Sequence, residues 1–214
     1  MNPKVTSLDL FPTHVKVFDF EDDPELNGTL LELARTDPAL NSSLSGRSLL
    51  LRDEPWAAKL RAKLDLGLRL YLKDVFPGRT EPFDIEAYAF FNYTKATSFT
   101  PLHDHLLEAD IIGVYYAETP EYAEERHETS YYAMDEGILV LHDPRIDARV
   151  DRRSLFTRDH FRVYPRRNRL VLHPAHVRHS VTPNKGAERL AVACGFTVNR
   201  KDLFEGYVGY RMSV

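Results

Sequence analysis

A mainly β domain with helices at its N-terminal end is the fold class that this sequence predicts, and three observations carry it. Two stretches in the first third repeat leucines at helical spacing. From Phe83 onward the texture changes to short runs rich in β-branched and aromatic residues, separated by turn-rich or charged segments. With 43% hydrophobic and 28% charged content in 214 residues, the chain can bury one substantial core without help from disulfides or metal. Helices followed by six or more strands mean an α+β domain, or a β-barrel or sandwich packed on helices.

The first helix is predicted to open at Asp23, a capping residue, with Pro24 in its first turn. Leu26, Leu30 and Leu33 give it one apolar face, and Pro38 marks the point before which it must stop. A second helix opens at Asp53-Glu54-Pro55 and carries Trp56, Leu60, Leu64, Gly67/Leu68, Tyr71 and Val75 on one face until Pro77-Gly78 ends it. Both read as amphipathic cover for something else. Strands are predicted over Ile85 to Tyr93, Ile111 to Ala117, Ile138 to Leu141, Phe161 to Tyr164, Leu170 to Leu172 and Leu190 to Val198. The charged, tyrosine-bearing segment Glu118 to Glu136 is the longest candidate loop and a candidate lid. No repeat, low-complexity tract or flexible linker divides the chain, so a single domain over 1–214 is expected, with 1–80 as helical cover and 83–200 as the β core.

The net charge of −4 comes from 28 basic and 32 acidic residues spread along the whole length. No basic stripe suggests nucleic acid and no cationic helix suggests a membrane surface. Met1-Asn2-Pro3-Lys4 leads into no apolar leader, and no run approaches the length of a membrane span, so a cytoplasmic protein with a small-molecule partner is expected. Its oligomeric state is left open, a homodimer included. Cys194 is the only cysteine, which excludes an internal disulfide and a thiolate metal cluster; its apolar neighbours predict a buried, inert thiol.

The chemistry-bearing residues fall in two clusters. In Leu102-His103-Asp104-His105, residues two apart on an extended chain point to one face, so His103 and His105 can converge while Asp104 turns away. A His-x-His pair alone is half a metal site and occurs more often on surfaces or in hydrogen-bonded cores. The second cluster, His173-Pro174-Ala175-His176-Val177-Arg178-His179, adds further imidazoles, and ten positions after His179 comes Arg189, inside an otherwise apolar strand. A guanidinium beside Leu190, Ala191, Val192 and Ala193 is expensive to bury without an anionic partner. That partner is either a protein carboxylate such as Glu86 or Asp110, or a ligand whose carboxylate the planar fork of Arg grips in a bidentate manner. With histidines nearby, the second choice describes a site for a metal-chelating carboxylate.

The order and spacing of these features resemble the bacterial 2-oxoglutarate/Fe(II) oxygenase superfamily, and within it a His-x-His family of oxygenases. The resemblance runs nearly end to end: Leu10-Phe11-Pro12-Thr13, His103-Asp104-His105, Gly113-Val114-Tyr115-Tyr116, Asp143-Pro144-Arg145, His173-Pro174-Ala175 leading to His179, and Arg189. It implies a double-stranded β-helix, a cupin-like jelly roll, as the core, with helices packed on one side. It also implies an oxygenase that uses Fe(II), 2-oxoglutarate and O2 to hydroxylate or otherwise oxidise a small molecule or amino-acid-like substrate, releasing succinate and CO2.

By position, the resemblance assigns His103, His105 and His179 as metal ligands. His105 stands where most of the superfamily has a carboxylate, so the site is one negative charge short. Arg189 is assigned to the far carboxylate of 2-oxoglutarate, Tyr116 to a hydrogen bond beside it, with an aromatic core position as the equal alternative, and Asn92, eleven residues before His103, to a further contact, with a strand-end turn as the alternative. Ala191 replaces a serine that many relatives carry. Arg145, in Asp143-Pro144-Arg145, is read first as a turn salt bridge and second as a substrate contact. The competing readings are a three-histidine cupin-type dioxygenase or lyase without 2-oxoglutarate, against which Arg189 speaks, and a non-catalytic jelly-roll module. A bulge that turns Asp104 onto the metal in place of His105 is the alternative within the site.

Overall fold

The computed structural model describes residues 12–41, 48–80, 83–95, 98–122, 125, 136–144, 160–198 and 210–213. Helix α1 spans Pro24–Thr36, with the Asp23 carboxylate accepting from the Leu26 amide at 3.1 Å, a cap worth about 1 kcal/mol. Helix α2 spans Pro55–Val75 and buries Ala57, Leu60, Leu64, Gly67, Leu68, Tyr71 and Leu72. Both helices begin and end where the capping and proline signals predict. Between them lie two short 3-10 turns, Pro38–Asn41 and Leu49–Leu51.

The strands are β1 (Lys16–Asp19), β2 (Asp84–Thr94), β3 (Ser98–His103), β4 (Ile111–Glu118), β5 (Leu139–His142), β6 (His160–Val163), β7 (Arg169–Pro174), β8 (His179–Asn184), β9 (Arg189–Val198) and β10 (Tyr210–Ser213). They form two antiparallel sheets, a major one in the order β1-β7-β4-β9-β2-β10 and a minor one in the order β3-β8-β5-β6. This is the two-sheet jelly-roll arrangement expected for the core. The strands overrun both expected borders: β1 lies within the stretch read as helical cover, and β10 lies beyond residue 200.

Strand alternation divides the interior in two. On the major sheet, Leu190, Val192, Cys194 and Phe196 of β9, Ile85, Ala87, Ala89 and Phe91 of β2, and Leu170 and Leu172 of β7 pack with the leucines of α1 and α2. Fully burying each leucine, isoleucine, valine or phenylalanine among them contributes roughly 1.5–3 kcal/mol. The fit is close: a Cβ on Gly67 of α2 would sit 2.5 Å from Leu170 Cδ2. Helix α1 is also pinned through a buried polar contact, where the Tyr115 hydroxyl lies 2.9 Å from the side-chain oxygens of both Asn27 and Asn168. The opposite face of the major sheet meets the minor sheet, and Tyr116, Val171 and Ala191 pack there against Leu139, Leu141 and Val163.

Cys194 is buried, and burial pushes its thiol up, as an inert role requires. No helix among the described residues is long and apolar enough to cross a membrane. The expected lid, Glu118 to Glu136, lies outside the described residues except at 118–122, 125 and 136.

Candidate metal centre

The space between the sheets receives the chemistry. His179, first residue of β8, pairs with His103 on one side and Leu141 on the other, and directly opposed residues share a face. Leu141 belongs to the inter-sheet cluster, so both histidines face that space. Strand β3 does carry a register shift, between Thr100 and His103, but its effect is to set His103 opposite His179. The chain then leaves the strand. His105 lies in the following turn, held by its amide donating to the Ala175 carbonyl at 3.1 Å. His103 and His105 therefore converge because a turn folds back on the strand end, and the simple alternation of an extended chain is not the reason. Asp104 is exposed, and its carboxylate accepts from the Leu106 amide at 3.4 Å.

One donor atom from each of His103, His105 and His179 lies within 4.8 Å of the others. Their protonation pattern suits a metal. His103 Nδ1 lies 2.8 Å from the Pro101 carbonyl, and His179 Nδ1 lies 3.1 Å from that of Val177. A carbonyl can only accept, so each Nδ1 carries a proton, which leaves Nε2 as the nitrogen through which the neutral ring ligates. His105 is held in the same tautomer by Glu108, whose Oε2 accepts from Nδ1 at 2.8 Å. Burial pulls the His179 imidazole down to about 3, so it stays neutral and ready to ligate at any physiological pH. Three imidazoles fixed by outer hydrogen bonds match the donor set of a divalent transition metal.

His173 was singled out in the sequence with no assigned role. It is fully buried on β7, its ring edge-on to His179 at 4.8 Å between centroids, with Nδ1 donating to the Pro174 carbonyl at 2.9 Å and Nε2 unpartnered. His176 is exposed.

The other half of the site lies on β9 and its neighbours. Arg189 is 3% exposed, and among the described residues no carboxylate lies within ion-pair distance of it. The two protein partners considered from sequence are excluded by register: Arg189 opposes Thr94, whereas Glu86 opposes Thr197, and Asp110 accepts from the Val198 amide at 2.9 Å. Eight residues of strand separate Arg189 from that level, roughly 26 Å. Its guanidinium instead lies over the Tyr116 ring, 5.4 Å from the centroid. Arg189 Nε and the Tyr116 hydroxyl are both buried without a hydrogen-bond partner. Burial pushes the Tyr116 phenol up while the positive Arg189 beside it pulls the other way, so it remains a donor.

Asn92 and Tyr116 flank Ala191 in register across β2, β9 and β4, and by alternation all three side chains share the inter-sheet face with Arg189. Asn92 makes no side-chain hydrogen bond among the described residues. Two orphaned buried donors beside an unpaired cation fit a carboxylate ligand. Gly137, unnoticed in the sequence, closes this pocket at φ 63, where a Cβ would sit 2.9 Å from Arg189 Cδ. Arg145 lies outside the described residues.

Comparison with known proteins was consistent with this geometry. Residues 89–195, half of the chain, match the family described as "Putative 2OG-Fe(II) oxygenase". The fold is similar to a prolyl-4-hydroxylase of Pseudomonas putida, with a TM-score of 0.59 and 18% identity over 91% of this chain and 92% of that one. It is also similar to the viral collagen prolyl hydroxylase of Paramecium bursaria Chlorella virus-1 in its 2-oxoglutarate complex, with a TM-score of 0.51 and 13% identity over 87% and 96%. HygX of Streptomyces hygroscopicus, with nickel and 2-oxoglutarate bound, gives 0.50 and 16% over 90% and 85%. No curated protein matches the chain. The matched segment contains every residue of the inter-sheet cluster, and the chain belongs to the 2OG-Fe(II) oxygenase family, an enzyme family that works with Fe(II), 2-oxoglutarate and O2.

Proposed function

We propose that His103, His105 and His179 hold the Fe(II) and that Arg189, with Tyr116 and Asn92, holds the 2-oxoglutarate, for the oxidation of a small-molecule substrate. The observation that carries this reading is the buried Arg189 guanidinium, which has no carboxylate partner among the described residues and shares an inter-sheet face with three convergent imidazoles. When bound, the iron and 2-oxoglutarate supply oxidation by O2 with release of succinate and CO2.

The chain's own residues do four things. The imidazoles offer Nε2 lone pairs in a fixed tautomer. Arg189 would pair with the far carboxylate of 2-oxoglutarate, and Tyr116 would donate its hydroxyl to the same group. The apolar walls from Leu139, Leu141, Val163 and Val171 keep water from the space between the sheets. Hydroxylation of the substrate is the expected outcome.

The whole chain is read as one oxygenase domain, because β1 before the helices and β10 after residue 200 both extend the major sheet. Metal content and 2-oxoglutarate-dependent succinate release test the ligand set. Wild-type protein is expected to hold one Fe(II) per chain, Ala at His103, His105 or His179 to lose iron and turnover, and Asp104→Ala to retain both. Loss in Asp104→Ala with His105→Ala near normal would replace His105 by Asp104 as ligand.

A further inference from the structure

The three candidate ligands differ in what stands behind them. His103 and His179 donate to neutral backbone carbonyls, whereas His105 donates to a carboxylate, Glu108 Oε2, at 2.8 Å. The Glu108 side chain is half-exposed, and the backbone that carries it is held in place. The Glu108 and Ala109 amides both donate to the His105 carbonyl, at 2.9 and 3.1 Å, closing a tight turn that puts the two side chains side by side. The turn is tied to the major sheet: His105 N donates to the Ala175 carbonyl, Ala175 N to that of Asp110 at 2.9 Å, and Asp110 N to that of Phe196 at 3.0 Å. The Tyr88 hydroxyl lies 3.4 Å from the same Oε2. Tyr88 reaches it across Gly195, its partner in register, where any Cβ would fall 2.3 Å from the tyrosine ring. A glycine, a tyrosine and a glutamate from three segments thus converge behind one histidine.

We propose that Glu108 is the positioning residue that returns to the metal, through His105, the negative charge that a carboxylate ligand would bring. This inference rests on the reading of His105 as a ligand. A three-imidazole site lacks an anion. A carboxylate accepting from Nδ1 fixes the tautomer, makes the imidazole a stronger donor through Nε2, and places a full negative charge one hydrogen bond from the coordination sphere. The exposed Asp104, nearest in sequence, faces solvent and does not touch the imidazole cluster.

The test is an anaerobic Fe(II) titration of the full chain in the presence of 2-oxoglutarate, following the visible metal-to-ligand charge-transfer band. Wild type is compared with Glu108→Ala, Glu108→Gln and Asp104→Asn, with thermal melts of the metal-free proteins as the check on folding. Glu108→Ala is expected to weaken Fe(II) binding by about 10- to 100-fold, in the range of outer-shell partners. Glu108→Gln keeps an acceptor but not the charge, and is expected to fall between Glu108→Ala and wild type. Both should move the band to higher energy, because a less electron-rich iron gives up its electron less readily, and Asp104→Asn should change neither quantity.

Unchanged affinity and band position in both Glu108 variants, with a normal wild-type band, would overturn the role of Glu108 and leave the ligand set standing. Full recovery by Gln of affinity and band energy would overturn the charge argument. A wild type that forms no band would overturn the ligand reading, and this inference with it.

Discussion

Of the three arginines buried among the described residues, Arg169 at 5% and Arg189 at 3% exposure are satisfied in opposite ways. Arg169 donates from Nε and Nη2 to the two oxygens of Asp19 at 2.7 and 2.9 Å, and from Nη1 to the Tyr164 carbonyl at 2.8 Å. Arg189 has an aromatic face and an unpartnered Nε. The first is structural: it ties β7 to β1, and its guanidinium holds the Asp19 carboxyl below the usual range. The second is compensated by no carboxylate among the described residues, a cost that a ligand carboxylate would remove. Burial by itself therefore does not mark a functional arginine, whereas burial without a partner does.

The largest way to sharpen this contrast is Arg189→Met. It should weaken 2-oxoglutarate binding by about 1.5–3 kcal/mol, roughly 10- to 150-fold. Metal content should be unchanged, and the ligand-free protein should melt no lower than wild type. An equal fall in melting temperature and ligand affinity would make Arg189 structural after all.

The histidine end of the site sets a pH dependence of similar size. Burial pulls His173 to about 4 and His179 to about 3, both below the ordinary imidazole value of about 6.5. The unfolded chain takes up protons that the folded chain refuses, so stability is present above pH 6.5 and is lost as the pH falls toward 4. For the metal-free protein, denaturant melts should show a loss of about 3 kcal/mol between pH 6.5 and 5, shared by the two rings. A flat profile would mean that these rings are solvated.

Asp19→Ala is the counterpart of the arginine substitution and should cost about 1–2 kcal/mol of stability while leaving 2-oxoglutarate affinity untouched. The smallest effect is expected from Tyr116→Phe, which removes a hydroxyl whose polar neighbour among the described residues is the Arg189 guanidinium. It should weaken 2-oxoglutarate by about 0.5–1.5 kcal/mol and not destabilise the empty protein. A loss of stability would reveal a hydrogen bond to protein.

What was legible in the sequence follows from how each element is stabilised. Helices α1 and α2 announce themselves because one face is buried against a sheet and their ends carry Asp23, Pro24 and Pro55. Strands β2, β4, β7 and β9 pack on both faces and read as apolar runs. Strand β3 contains Pro101 and β8 contains Pro183; both are polar along much of their length and are held by cross-strand pairing, which no local pattern reports. Strands β1 and β10 are four-residue edges.

The site divides in the same way. The two histidine segments and the misplaced arginine stand out by residue type, whereas Glu108, Gly137 and Gly195 matter through contacts across the fold. For Glu108 a signal existed, its position three residues after His105 in a turn. Gly137 carried none beyond being a glycine near a strand start.

The central claim is that one inter-sheet space holds a metal at its histidine end and a carboxylate at its arginine end. It is tested most directly by titrating 2-oxoglutarate anaerobically into Fe(II)-loaded protein and following the charge-transfer band. Wild type should saturate at one 2-oxoglutarate per chain, His179→Ala should give no band, and Arg189→Met should reach the same band only at roughly 10- to 150-fold higher concentration. A full band in His179→Ala, or an Arg189→Met titration that overlays the wild type, would contradict it.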